Sequence, residues 1–418
     1  MPGVLPDGEP VPTDGALPAA ALDGLGMRPF GFYVHVPFCV TRCGYCDFNT
    51  YTAAELGGGA SRESYPGQAA GEVRLARRVL GTASMPVGSV FFGGGTPTLL
   101  PPSRIGEVLR VIDGEFGLAP GAEVTVEANP ETVTERGVAH LRAQGITRLS
   151  FGMQSAQPHI LAVLDRVHEP GRPGRCVAWA RAAGFEHVNL DLIYGTPGET
   201  DADWRTSLET ALEYGPDHIS AYALIVEDGT RLAARIRRGE VPAPDDDAMA
   251  DRYLLAEEVL TARGFGWYEV SNWATSPRAR CAHNLLYWTG GDWWGIGPGA
   301  HSHVGGTRWW NVKHPAAYAG RIGAGLSPGH ARETLTAGER RMERIMLLTR
   351  LADGCPLAEL GSGRAGGPGE DGGPGGHEAA EKAVADGLAD PSALASGRVV
   401  LTLRGRLLAD AVIRELTG

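Results

Sequence analysis

Cys39, Cys43 and Cys46 stand as C-x3-C-x2-C in the run Phe38-Cys-Val-Thr-Arg-Cys-Gly-Tyr-Cys-Asp-Phe. Three thiols on one short loop suit metal chemistry, because thiolates are the ligands of iron–sulfur clusters and of many zinc sites. Three thiolates can hold three irons of a cubane cluster. With no fourth cysteine nearby, one iron would stay open to a chelating small molecule. The same spacing admits zinc, with His35 or Asp47 as fourth ligand. The remaining cysteines read as structural: Cys176 lies on a helix face as a core residue, and Cys355-Pro356 marks a helix end.

A second set of polar residues follows the strand-like runs. Gly93-Gly94-Gly95-Thr96-Pro97 can let a ligand approach the backbone and leaves N–H groups free to donate. Glu127 lies at the end of the third strand run, in TVEANPE, Gln154 ends SFGMQ, Asp191 sits in NLDLIYG, and Arg166 and His168 lie in LDRVH. A guanidinium such as Arg166 suits a carboxylate or phosphate-like partner.

The elements that must position these groups alternate. Strand candidates are 32–36, 89–93, 123–128, 148–152, 187–193 and 218–224. Amphipathic helical stretches separate them, including 72–80, 104–112, 138–144, 176–184 and 203–212. Such alternation predicts an α/β fold with a parallel sheet and crossover helices. Six units predict a partial (β/α)6 TIM-like barrel, with a doubly wound sheet as the alternative. In a barrel, the loops after the strands build the active site, which is where the cysteines and the polar residues fall.

Three further segments are expected. Residues 1–28, rich in Pro, Gly, Ala and Asp, read as a disordered leader before a barrel over 29–235. Residues 236–418 read as a smaller mixed α+β domain, with a helix at 245–262 and a Trp-rich stretch at 266–312. A flexible glycine-rich insertion is expected at 361–378. Seven of the nine tryptophans fall between Trp267 and Trp310; most should form the core of the second domain.

The chain has 418 residues, 43% hydrophobic content and a formal net charge of −11. An acidic balance argues against nucleic acid as a partner. No run is long and apolar enough for a membrane span, and the N-terminus has no secretory pattern. The expectation is a cytoplasmic protein with reduced cysteines, peripheral membrane contact being left open.

Tyr33-Val-His-Val-Pro-Phe-Cys, Cys46-Asp-Phe-Asn and GGGTP resemble the radical S-adenosylmethionine (SAM) group that contains anaerobic coproporphyrinogen III oxidase and the heme chaperone HemW. The resemblance implies a [4Fe–4S] cluster on Cys39, Cys43 and Cys46. It implies SAM beside it, with Tyr33, Gly94, Gly95, Thr96, Glu127, Gln154, Arg166 and Asp191 as cofactor-binding residues. The oxidase carries a further cysteine two positions after the third ligand, where this chain has Phe48. His283-Asn284-Leu285-Leu286-Tyr287-Trp288 matches the H-N-x-x-Y-W signature of the HemW family, with YEVSNWA (268–274) and GIGPGAHS (295–302) around it. That family implies heme as cargo, hemoprotein acceptors of the respiratory chain, and His283, Asn284, Tyr287 and Trp288 as candidate heme contacts. Aromatic rings suit a flat porphyrin, and histidine is the usual axial ligand, with His301 and His303 close by in sequence. The segment lies outside the repeated units, so it is expected in the second domain or at its seam with the barrel. A SAM-dependent tetrapyrrole-modifying enzyme is the alternative.

Overall fold

All six runs with strand character form strands of a single parallel array. In this computed structural model, which describes residues 8–360 and 375–418, β2 (Phe30–Val36), β3 (Val87–Gly94), β4 (Leu118–Ala128), β5 (Arg148–Gln154), β6 (His187–Tyr194) and β7 (His218–Ala223) pair in order. Helices Tyr65–Leu80, Pro102–Phe116, Glu135–Ala143, Arg172–Ala182 and Asp201–Glu213 connect them. The fold is a partial (β/α) barrel.

Strand periodicity of two sorts the side chains. Phe32, Val34, Val36, Phe92, Val126, Leu149, Phe151 and Leu190 belong to the main apolar core. The alternate set is polar. Thr125, Glu127, Ser150, Asn189, Asp191, His218 and Ser220 line an interior cavity of about 180 Å³.

The expected boundary at 235 is no break in the sheet. Strands β8 (Gly266–Glu269) and β9 (Asn272–Ala274) extend it beyond β7, and β10 (Asp292–Ile296) pairs in parallel with β2. β11 (His301–Val304), β12 (Thr307–Asn311) and β13 (Gly329–Thr334) follow outward from β10. Unpaired strand edges must be covered, and the chain covers both edges of the six-strand array with its own later strands. Trp273, Trp294 and Trp309 therefore join the main core rather than a second one.

The residues with a separate core are the last ones. Ile345, Leu348, Cys355, Leu360, Ala380, Val399, Val412 and Leu416 cluster together, with Leu285 and Trp288 packed against them. Cys355 is buried there in a two-residue strand that precedes a helix rather than ending one. Cys176 is core, as expected.

Two further expectations need correction. The leader is ordered from residue 8 onward: β1 (Glu9–Pro10) pairs with β13, Arg332 Nε lies 2.6 Å from Glu9 Oε1, and Ala21 is buried. An unpaired edge on β13 gives this polar segment a partner, which composition alone does not reveal. Residues 1–7 and 361–374 lie outside the described residues, and so does most of the expected insertion. Its last part is the start of helix Gly376–Ala385, where Gly376 is packed so closely on Leu360 that a Cβ would sit 2.9 Å from it.

The short helix Ala282–Trp288 is not in a separate domain. It packs on the inner face of the barrel near the starts of β2 and β3, with His283 stacked on Phe91 at 5.3 Å and bonded to Ser89 at 2.9 Å. A buried ion pair secures it. Arg148 Nε donates to Glu123 Oε2 at 2.8 Å, and Arg148 Nη2 donates to the carbonyls of Ala279 (2.9 Å) and Arg280 (3.0 Å). Glu123 Oε1 accepts from the Cys281 thiol at 3.4 Å and from the His283 N–H at 3.3 Å.

Arg148 is 1% exposed, so removing its carboxylate leaves a bare buried charge. Glu123→Ala is expected to cost about 3–5 kcal/mol in urea unfolding. The apolar pair Glu123→Leu with Arg148→Met should cost much less than Glu123→Ala.

Candidate active site

The cluster loop begins where β2 ends. Its base is closed by backbone bonds: Cys39 N–H to Tyr51 O at 3.0 Å and Tyr51 N–H to Pro37 O at 2.7 Å. The Gly-rich turn after β3 lies against it, with Gly95 N–H to Val36 O at 2.8 Å and Thr96 N–H to Phe38 O at 2.7 Å. Gly95 is required by this close approach, since a Cβ there would sit 2.6 Å from Phe38 O. Gly94 adopts φ +104°, a region closed to residues with a side chain at little cost.

Cys39, Cys43 and Cys46 line one cavity of about 420 Å³, together with Gly94, Gly95, Thr96, Glu127, Gln154, Arg166 and Asp191. Seven of the eight expected cofactor residues thus meet the three thiols in one place. Tyr33 does not line this cavity. Its hydroxyl donates to His35 Nδ1 at 3.1 Å, and its ring stacks beside Phe91 and His283.

The thiols are partly buried. Burial pushes Cys46 up to about 11 and raises Cys39. Cys39 Sγ lies 3.9 Å from Thr96 Oγ1, and Arg166 Nη1 donates to Cys43 Sγ at 3.7 Å. Arg166 also donates to Asn129 Oδ1 at 3.1 Å and Gly152 O at 3.0 Å, and its Nε has no protein partner. Among the described residues, no three His, Cys, Asp or Glu side chains converge closely enough to share a single metal ion. A cubane asks for something else, one thiolate on each of three irons. His35 is committed elsewhere. Its Nε2–H donates to Asn49 O at 2.8 Å while burial holds it down near 4, so it is neutral.

Two carboxylates face each other across the cavity wall. Burial and the charge of Asp191 push Glu127 up to about 8, against one bond from Gly94 N–H at 3.2 Å. Burial raises Asp191 too, opposed by bonds from Ser150 at 2.7 Å and Asn189 at 2.8 Å. Gln154 sits at φ +62°, a strained conformation for this residue type that clusters at functional sites. His168 does not reach the cavity. It lies buried, 3.9 Å from Glu131, and burial holds it down to about 4.

Residue-by-residue reading of the sequence missed Asn129 and Tyr222. Asn129 bridges Thr96 (3.3 Å) and Arg166 (3.1 Å); its position two residues after Glu127 was the available signal. Tyr222 borders the cluster cavity, the polar interior and a third cavity of about 300 Å³. Asn284, Tyr287 and Trp288 line that third cavity beside Glu269 and Val270. His283 does not. It is buried with Nδ1 on Ser89 (2.9 Å) and Nε2 on Tyr287 Oη (2.8 Å), and burial holds it down to about 3. His303 is similarly engaged, at Gly291 O and Gly306 N–H, and His301 stacks on Trp310.

The raised Glu127 makes a signed prediction for the cofactor-free protein. The folded state binds the Glu127 proton more tightly than the unfolded chain. Its stabilising contribution is complete below the unfolded value, about 4.3, and is lost as pH rises through about 8. Glu127→Gln should therefore become more stable relative to wild type as pH rises from 5 to 9 in urea melts. A constant difference across that range would refute the assignment.

The model of the Radical SAM superfamily matches residues 33–211. The heme chaperone HemW of Mycobacterium tuberculosis is 52% identical over 391 residues, spanning 94% of this chain and 95% of that protein. The heme chaperone HemW of Synechocystis is 34% identical over 347 residues, 81% of this chain and 82% of that one. The solved structure of HemN, the coproporphyrinogen III oxidase of Escherichia coli, has the same fold, with a TM-score of 0.76 at 21% identity over 95% of this chain and 92% of that one. Likeness of this length runs through the cysteine loop, the barrel and the H-N-x-x-Y-W helix alike, and the chain belongs to the radical SAM superfamily and, within it, to the HemW family.

Proposed function

We propose that this protein is a heme chaperone that binds heme and passes it to hemoproteins of the respiratory chain, while holding a [4Fe–4S] cluster and SAM in the barrel mouth. The observation that carries the reading is the 52% identity to a heme chaperone over 95% of that relative's length. Cys39, Cys43 and Cys46 would hold three irons, leaving the fourth toward the cavity. The backbone of Gly94 and Gly95 would receive the SAM amino group, with Glu127, Gln154, Arg166 and Asp191 around the rest of the molecule. A bound cluster supplies one-electron reducing chemistry. Arg166, touching Cys43, would offset thiolate charge, and Glu127 can carry a proton near neutral pH.

Heme would lie at the third cavity, against Trp288 and Tyr287. His283, with both ring nitrogens bonded, would serve by anchoring the helix rather than by ligating iron. The cytoplasm is the compartment of this reading, since the three cysteines are needed reduced. No helix among the described residues is long and apolar enough to cross a membrane, and the acidic balance disfavours nucleic acid.

The test is a heme titration followed by the Soret band on wild type, Trp288→Ala and the triple variant Cys39→Ser, Cys43→Ser, Cys46→Ser. The triple variant should lose its iron–sulfur iron, keep its far-UV circular dichroism and still take up heme. Trp288→Ala should weaken heme by roughly tenfold, the scale of one aromatic contact. Loss of heme binding in the triple variant with no change in Trp288→Ala would overturn the two-site reading. Anaerobic assays with SAM and coproporphyrinogen III should give no protoporphyrinogen IX; SAM-dependent turnover would replace the chaperone reading with an oxidase.

A further inference from the structure

The turn Gly297-Pro298-Gly299, between β10 and β11, lies far from the cluster loop in sequence and against Asn49 and His35 in space. Asn49, three residues after Cys46, projects into this turn. Its Nδ2 donates to Pro298 O at 2.9 Å and Lys313 O at 2.8 Å, its Oδ1 accepts from the Tyr51 hydroxyl at 3.1 Å, and its carbonyl accepts from His35 Nε2 at 2.8 Å. Tyr51 also donates to Lys313 O at 3.1 Å. Gly299 must be glycine for this fit: φ is +73°, and a Cβ would sit 2.6 Å from Asn49 Nδ2. Gly297, at φ +104°, packs equally closely on His35 O.

The turn is itself anchored. Glu72, fully buried on helix Tyr65–Leu80, accepts from Gly297 N–H at 2.8 Å, Asn311 Nδ2 at 2.7 Å and the Tyr318 hydroxyl at 2.6 Å. Gly299 N–H donates to Val312 O at 2.9 Å. The return segment of the cluster loop, from Cys46 to Tyr51, is thus bonded both to this turn and the chain after β12 and, through Asn49 O, to His35 of β2.

We propose that Asn49 is a positioning residue for the cluster cysteines, and that the Gly297–Gly299 turn is the fixed jaw against which it sets the Cys43–Cys46 limb of the loop. The inference rests on the reading that these cysteines hold the cluster. The limb carrying Cys43 and Cys46 is tied to the barrel on one side by Leu232 N–H to Gly44 O at 2.9 Å, by Arg166 on Cys43 and by Tyr45 packed among Ile160, Ile193 and Leu224; the jaw is its anchor on the other side, after Cys46. Three thiolates must meet three irons at fixed separations, so a limb free to swing would hold the cluster less tightly.

The experiment compares wild type, Asn49→Ala and Tyr51→Phe as full-length protein. Hydrogen exchange of amides 40–51 is measured without cluster. Iron release to a chelator, and the electron paramagnetic resonance signal of the reduced cluster with SAM, are measured after anaerobic reconstitution. Asn49→Ala should melt within a few degrees of wild type, exchange faster in 40–51 but not in β4 to β6, release iron about tenfold faster, and shift the SAM-bound signal. Tenfold is the lower end for losing a group that orients a metal ligand. Tyr51→Phe, which keeps the Asn49 side chain, should change in the same direction by less. A merely structural contribution would raise exchange across the whole sheet and leave the signal where it was, and that result overturns the proposal. So do unchanged exchange and iron release in a folded Asn49→Ala. Should Asn49→Ala fail to fold, Tyr51→Phe decides on the same readouts. Failure of the wild type to take up iron would refute the cluster reading alone; the exchange comparison would still judge the jaw.

Discussion

Six parallel strands do not close a barrel, and the rest of the molecule follows from that shortfall. The array ends in two edges, β2 and β7, each a row of backbone N–H and C=O groups that must find partners. The later chain supplies both: β10 in parallel on β2, and β9 antiparallel on β7. Covering the β2 edge brings the β10–β11 turn to the end of the strand from which the cluster loop springs. The opening left between the covered edges is filled by helix Ala282–Trp288, held by the Glu123–Arg148 pair. The H-N-x-x-Y-W segment therefore lies on the barrel's inner face as a consequence of closure.

The interior that results is polar, an unusual use of a barrel core. TIM-like barrels commonly fill that space with branched apolar side chains. Here Ser150, Asn189, Asp191, His218 and Ser220 bond one another, as in Asn189 to Ser150 at 2.7 Å and His218 to Asn189 at 2.6 Å. Burial keeps His218 and His283 neutral, so the histidines add hydrogen bonds without adding charge. At the mouth, Asp191 and the protonatable Glu127 share one cavity with Arg166. Such a mouth suits a ligand with both a carboxylate and cationic groups, the character of SAM. Tyr222 borders all three cavities, so the mouth and the third cavity share a wall.

Much of this was legible in the sequence. Each βα unit announced itself by periodicity, and polar residues at the ends of successive runs converge because parallel strands present their C-terminal ends together. What the sequence concealed was non-local. No pattern in residues 8–28 says that β13 lacks a partner. No property of Trp273, Trp294 or Trp309 distinguishes a core shared with the barrel from a core of their own. Tyr33 was placed at the cofactor by its motif, yet its hydroxyl turns to His35 because alternation along β2 aims both inward. His283 is a candidate heme contact by its motif, but Ser89, 194 positions away, takes one of its ring nitrogens and Tyr287 the other. Asn49 belongs to the Cys46-Asp-Phe-Asn motif, but nothing in the motif says that its side chain enters a turn 249 positions away.

In the proposed function, a three-thiolate cluster with one iron open to the cavity stands at a site distinct from heme. Mössbauer spectroscopy of protein reconstituted with 57Fe in the cluster and natural-abundance iron in the heme addresses both parts at once. The account predicts that SAM perturbs one iron site of the four and leaves the other three unchanged, and that prior loading with heme leaves this response intact. A spectrum in which SAM affects all four irons alike, or in which bound heme abolishes the response, would contradict it.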